Sequence, residues 1–106
     1  MTTIAYNVII VVVIRSFADK DTQRVFQRLA TKHFSIELQR FAYRKLTIID
    51  AAEAVNDLRI PPGNRLEKLK GAREGQYSIR INDKWRICFQ WKDNDAYEVE
   101  IADYHY

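Results

Sequence analysis

Two arginines and a short run of aromatic residues around a histidine carry the most chemistry in this sequence of 106 residues. Arg80 and Arg86 flank a polar turn between two stretches in which polar and apolar residues alternate. A guanidinium is a permanent cation whose fork of donors matches phosphate oxygens. The last residues are Tyr104-His105-Tyr106. Tyrosine rings stack on unstacked RNA bases, and a histidine exchanges protons near neutral pH. The alternative for this run is aromatic packing that ties down a final strand. A third cluster, Arg65, Lys68, Lys70 and Arg73, surrounds Leu66, Glu67 and Leu69. It reads either as a phosphate-binding rim or as a short solvated edge strand guarded by lysines, which its composition favours. His33 reads as a partner for a helix C-terminus. Arg40, Arg44 and Lys45 read as the solvated face of a helix or as a surface for an acidic partner.

Composition narrows these options. The net charge of +3 and a pI near 9.1 suit RNA, DNA or an acidic protein without choosing among them. The only cysteine, Cys88, excludes an intrachain disulfide. His33 and His105 are far apart with no cysteine beside them, so no metal site and no cofactor are expected. This usage suits a reducing cytoplasm. Val8-Ile9-Ile10-Val11-Val12-Val13-Ile14 is too short to cross a bilayer as a helix, which takes about 20 residues. It also lacks the flanks of a signal peptide. Its β-branched composition predicts a strand that needs cover. The chain therefore divides into an apolar extension or strand over residues 1–13 and one domain over residues 14–106.

The elements that position the candidates follow from periodicity. Residues Asp19 to His33 predict a helix capped by Asp19 or Asp21, with Val25, Phe26 and Leu29 on one face. Ser35 caps a second, whose apolar stripe is Leu38, Phe41, Ala42, Leu46 and Ile49. Ala51 to Leu58 continues it or forms an extra turn, and Ile60-Pro61-Pro62-Gly63-Asn64 stops helical structure. The period then becomes two, in Tyr77–Ile81, Trp85–Trp91 and Tyr97–Ile101. Helices followed by a three-strand antiparallel meander predict an α+β domain, with two helices packed on one face of a small sheet.

Register follows because one face must be buried throughout. Ile81 and Trp85 share a face only across an odd loop, so Asn82-Asp83-Lys84 is the turn. Ile79 then faces Ile87, Arg80 faces Arg86, and Arg86 has Ala102 on its other side. The same rule sets Trp91 against Tyr97 and Phe89 against Val99. Two arginines directly opposite each other repel unless something anionic compensates. Either a phosphate does so, or Glu98 and Glu100 neutralise them as a surface network.

These residues resemble a known family. Pro61-Pro62-Gly63-Asn64-Arg65-Leu66-Glu67-Lys68-Leu69-Lys70-Gly71, Arg73 to Asn82, Trp85-Arg86-Ile87-Cys88-Phe89 and Asp103-Tyr104-His105 are similar to the HigB/GraT branch of the RelE toxin superfamily. So is the opening Ile14-Arg15-Ser16-Phe17 with Asp21-Thr22. The resemblance implies a RelE-like fold and the toxin of a type II toxin–antitoxin pair, cleaving mRNA in the A site of the bacterial ribosome without a metal. It implies a helix-turn-helix, HigA-like antitoxin as partner, with operator DNA reached only through that antitoxin and no membrane. By the same resemblance Arg86 is the catalytic arginine, His105 transfers protons, and Tyr104 orients the scissile nucleotide. Lys70 and Arg80 hold flanking phosphates, with Lys68, Arg73 and Arg65 as further RNA contacts. Glu67 stands where some members place a histidine, so the general base is either Glu67 or His105. The competing reading is a non-catalytic protein that blocks the ribosome or acts as an operon co-repressor with its antitoxin. A purely structural DNA-binding domain is disfavoured, because no recognition-helix pattern is present.

Overall fold

A computed structural model describes residues 12–103. Helices α1 (Lys20–Phe26) and α2 (Ile36–Asp50) precede strands β1 (Glu67–Lys68), β2 (Gln76–Arg80), β3 (Trp85–Lys92) and β4 (Asp95–Asp103). The strands form one antiparallel sheet in the order β1-β2-β3-β4. Both helices lie on one face, where Val25, Leu38, Ala42, Leu46 and Ile49 pack against Ile79, Ile87, Phe89, Val99 and Ile101. The expected α+β architecture is present, and the short solvated edge strand that the lysine-bearing segment around Glu67 predicts is there as β1, two residues long.

The first helix is much shorter than the apolar spacing predicted. Asp19 caps it, accepting the Thr22 N–H at 2.6 Å. Arg28 then takes a left-handed backbone (φ 59°). The Leu29 N–H donates to Arg24 O at 2.8 Å and the Arg28 N–H to Val25 O at 3.1 Å. That pair of bonds is a Schellman stop made without the usual glycine. Leu29 is consequently 47% exposed rather than on a buried face. His33 lies beyond the helix and pairs with Asp21 at 2.8 Å, so it is no partner for that helix's C-terminus. In α2, Ser35 caps as predicted, accepting from the Leu38 N–H. Phe41 departs from the buried stripe and lies outside under the Arg44 guanidinium. Between α2 and the sheet the chain forms two short 3-10 turns, Val55–Arg59 and Pro62–Asn64, so the proline segment holds one helical turn of its own.

The two hairpins differ. In the first, Ile79 faces Ile87 and Arg80 faces Arg86 across the three-residue loop, as the alternation required. In the second, Arg86 faces Ala102 as expected, but Gln90 faces Tyr97 and Trp91 faces Ala96. The loop there is the two-residue turn Asp93-Asn94, both residues left-handed, the type I′ geometry that matches strand twist. An even loop would put the wrong face of β4 inward. A bulge opposite Phe89, with Glu98 at φ 51°, inserts one residue and restores the register for Val99 and Ile101.

Residues 1–11 of the predicted apolar strand lie outside the described residues. Where description begins, Val13 and Ile14 are buried, and both N–H groups donate to Asp50 Oδ1, at 3.0 and 2.9 Å. Ile14 and Phe17 then bridge to Ala96 and Val99 in parallel. This broken ladder covers the free edge of β4.

Candidate functional site

The face of the sheet away from the helices holds the candidate chemistry. Because side chains alternate along a strand, the pairings put Glu67, Ser78, Arg80, Arg86, Cys88, Glu100 and Ala102 on this side. Among the described residues its buried apolar patch is Leu69, Cys88 and Ala102. The Cys88 thiol is buried, as expected of a small apolar group in a strand.

Arg86 is the unexpected member. It was expected on an open, solvated face, yet it is 2% exposed. Its Nε donates to Ser78 Oγ at 2.7 Å. Its Nη2 donates to Arg65 O at 2.6 Å and to Ser78 O at 3.3 Å. Burying a permanent cation costs several kcal/mol in desolvation, and charge-assisted bonds to polar oxygens offset part of it. Arg65 supplies its carbonyl from a left-handed backbone (φ 44°, ψ 58°), a conformation that strains a side-chain-bearing residue.

Arg86 lies at the wall of a cavity of about 220 Å3 lined also by Arg65, Glu67, Arg80, Asn82 and Asp83. The sequence candidates Arg65, Glu67, Arg80 and Arg86 therefore line one cleft. Arg80 is bound to the exposed carboxylate of Asp83. Glu98 and Glu100 do not neutralise Arg80 and Arg86 as the ion-pair alternative required. Glu100 pairs with Arg73 at 3.0 Å, and Glu98 accepts from Ser16 Oγ. Arg73 also donates to Gln76 Oε1, which sets its guanidinium on the open face but outside the cavity lining. Lys70 is exposed beside the Gly71–Arg73 turn. Lys68 pairs with Tyr77, which puts it on the helix side of the edge strand. Tyr104 and His105 lie outside the described residues.

Sequence reasoning missed Lys45 and Asn64. Lys45 was grouped with the solvated cations of the second helix. Instead its Nζ donates to Asn64 Oδ1. Burial, and secondarily the positive charge of Arg80, hold its pKa below the ordinary lysine value. Asn64 is fully buried and also donates from Nδ2 to Leu58 O at 3.2 Å and Ile60 O at 3.3 Å. An asparagine directly after Pro-Pro-Gly was legible as a turn residue, but not as a buried clamp.

A second groove, about 550 Å3, lies on the helix side between Val25–Ala30 and α2; Arg28, Arg40 and Arg44 line it together with Leu29, Ile36 and Tyr43. Arg28 stacks 4.2 Å from the Tyr43 ring centroid. Among the described residues, no group of three potential ligands is placed to hold a metal, and no helix is long and apolar enough to cross a membrane.

Two helices on one face of a small antiparallel sheet, with a cationic cleft on the other, define a RelE-like toxin architecture. The model of the family described as RelE-like toxin of type II toxin-antitoxin system HigB matches residues 15–105. Toxin HigB-1 of Vibrio cholerae is 46% identical over 69 residues, covering 65% of this chain and 73% of that protein. Endoribonuclease HigB of Proteus vulgaris is 34% identical over 92 residues, covering 87% of this chain and 99% of that protein. Among solved structures, a chain of the YoeB-YefM complex from Staphylococcus aureus aligns with a TM-score of 0.56 at 26% identity, over 88% of this chain and 95% of that one. The chain belongs to the HigB-like family of RelE-like toxins.

Proposed function

We propose that this chain is an endoribonuclease, the toxin of a type II toxin–antitoxin pair, which cleaves mRNA in the ribosomal A site in the bacterial cytoplasm. The observation that carries this reading is Arg86, a desolvated cation held by fixed oxygens at the wall of a cleft that Arg65 and Arg80 also line. In the proposed reaction the 2′-oxygen attacks the adjacent phosphorus and the bond from phosphorus to the 5′-oxygen breaks. The products are a 2′,3′-cyclic phosphate and a 5′-hydroxyl. One proton leaves the 2′-hydroxyl and one reaches the departing 5′-oxygen. Arg86 stabilises the charge on the crowded phosphorane, from a position that needs no reorganisation during the reaction. Glu67, in the same cleft, or His105 takes the first proton, and His105 supplies the second. Tyr104 stacks on the scissile nucleotide. Arg80 and Arg65 hold flanking phosphates, with Lys70, Lys68 and Arg73 extending the cationic rim. The partner in the resting complex is a helix-turn-helix, HigA-like antitoxin, through which operator DNA is bound.

The test is cleavage of mRNA on translating ribosomes by the wild type, Arg86→Ala and His105→Ala, with 5′ ends mapped. Cleavage within A-site codons that falls by about two to three orders of magnitude in Arg86→Ala is expected. Growth arrest without any cut mRNA would replace this reading with that of a ribosome-blocking binder.

A further inference from the structure

We propose that Asn64, clamped by Lys45, is a positioning residue for Arg86, setting its guanidinium through the carbonyl of Arg65. The inference rests on the reading of Arg86 as the group that stabilises the transition state.

The connection is continuous. Lys45 projects from α2 and donates to Asn64 Oδ1. The Asn64 amide donates to the carbonyls of Leu58 and Ile60, so both ends of its side chain are engaged and the loop from 58 to 64 is closed on itself. Arg65 follows immediately, and the next peptide is turned by its left-handed backbone. That turn aims Arg65 O at Arg86 Nη2, 2.6 Å away. Ser78 supplies the other two oxygens from β2, which the sheet ladder already holds in register. Among the described residues a strand and a loop hold the guanidinium: the strand is fixed by its pairing, and the loop by its own turn hydrogen bonds together with the Asn64 side chain. A side chain inside a packed loop carries catalytic consequence when displacement of its neighbour by a fraction of an ångström misplaces a charge.

A fully buried asparagine with three bonds would also serve stability alone. The two roles separate in measurement. Asn64→Ala is expected to lower kcat for mRNA cleavage by about ten- to hundredfold while KM stays within about twofold. In an Arg86→Lys background the same substitution is expected to cost less than about threefold, because residues acting through one another are not additive. The Arg86 Nε–H resonance in NMR, protected by burial and by Ser78, is expected to shift or broaden in Asn64→Ala. Lys45→Met, which keeps Asn64 and its two bonds to the Leu58 and Ile60 carbonyls, is expected to show the same pattern at about threefold in kcat.

An unchanged Nε–H resonance beside a lowered kcat would overturn the proposal. So would equal losses in the wild-type and Arg86→Lys backgrounds, since Asn64 would then act on folding or on another group. If wild type cuts no mRNA while the resonance still responds to Asn64→Ala and Lys45→Met, the functional reading fails and the positioning of Arg86 stands.

Discussion

On the helix side of the sheet, Ile79, Ile87, Phe89, Val99 and Ile101 pack into a continuous apolar core. On the other side the same strands present Ser78, Arg80, Arg86 and Glu100, with a small apolar patch of Leu69, Cys88 and Ala102. The core side is held by area removed from water, which is non-directional and tolerant of detail. The open side is held one bond at a time: Glu100 by Arg73, Arg80 by Asp83, Arg86 by Ser78 and the Arg65 carbonyl. Arg86 and Ile87 are chain neighbours and are both buried, yet Ile87 adds to the apolar core while Arg86 carries a desolvation cost that its directed bonds offset. The apolar core and the cationic cleft thus occupy opposite faces of single strands.

Substituting these neighbours one at a time gives the strongest test of that division. Arg86→Met is expected to lower cleavage by about a thousandfold. Its unfolding free energy should change by no more than about 1 kcal/mol, since the desolvation cost removed offsets the bonds lost. Ile87→Ala is expected to cost about 3 kcal/mol in stability through the cavity it leaves. Its kcat per folded molecule should remain within about twofold of wild type. Urea unfolding and single-turnover cleavage on the same samples check both; an Arg86→Met protein less stable than Ile87→Ala would break the division. A smaller effect is expected within the cleft. The Asp83 carboxylate occupies Arg80 where a phosphate would, so Asp83→Asn should tighten RNA binding by about three- to tenfold at low salt. Titration of a short single-stranded RNA measures it, and unchanged affinity would remove Arg80 from the phosphate contacts.

The core side was largely legible, because burying one face leaves few registers to choose from. Ile79 opposite Ile87 and Arg80 opposite Arg86 followed from the alternation alone, and Ser35 as the cap of α2 followed from its place ahead of the helical apolar stripe. What escaped depends on backbone conformations that residue type does not announce. Arg28, Arg65 and Glu98 all take positive φ without being glycine. They end α1 early, aim a carbonyl at Arg86, and insert the bulge in β4. Asp93-Asn94 did carry a signal, since such a pair favours a type I′ turn. Taken up, it would have required a compensating bulge. On the open side, which arginines share a cleft could be read from register, but the burial of Arg86 could not. Its partners, Ser78 Oγ and Arg65 O, come from a second strand and from a loop remote in sequence. The Lys45–Asn64 clamp was hidden for the same reason.

Lys45 joins the two sides, rooted in the helix layer and reaching the loop that borders the cleft. Its pKa is lowered first by burial and then by the charge of Arg80. The unfolded chain therefore holds the proton more tightly than the folded one. Below the folded value the full penalty is present; as pH climbs through that value towards the ordinary 10.5, the penalty is relieved and stability rises. Lys45→Met removes this dependence, so the difference in urea midpoint between wild type and variant should move in favour of wild type as pH rises towards 10.5. A phosphate bound at Arg80 would cancel part of the repulsion and return the lysine towards its ordinary value. Saturating short RNA should therefore flatten the pH dependence. A difference that stays constant with pH would mean that burial does not reach the Lys45 ammonium; a pH dependence that RNA leaves untouched would mean that the cleft and the helix layer are electrostatically separate.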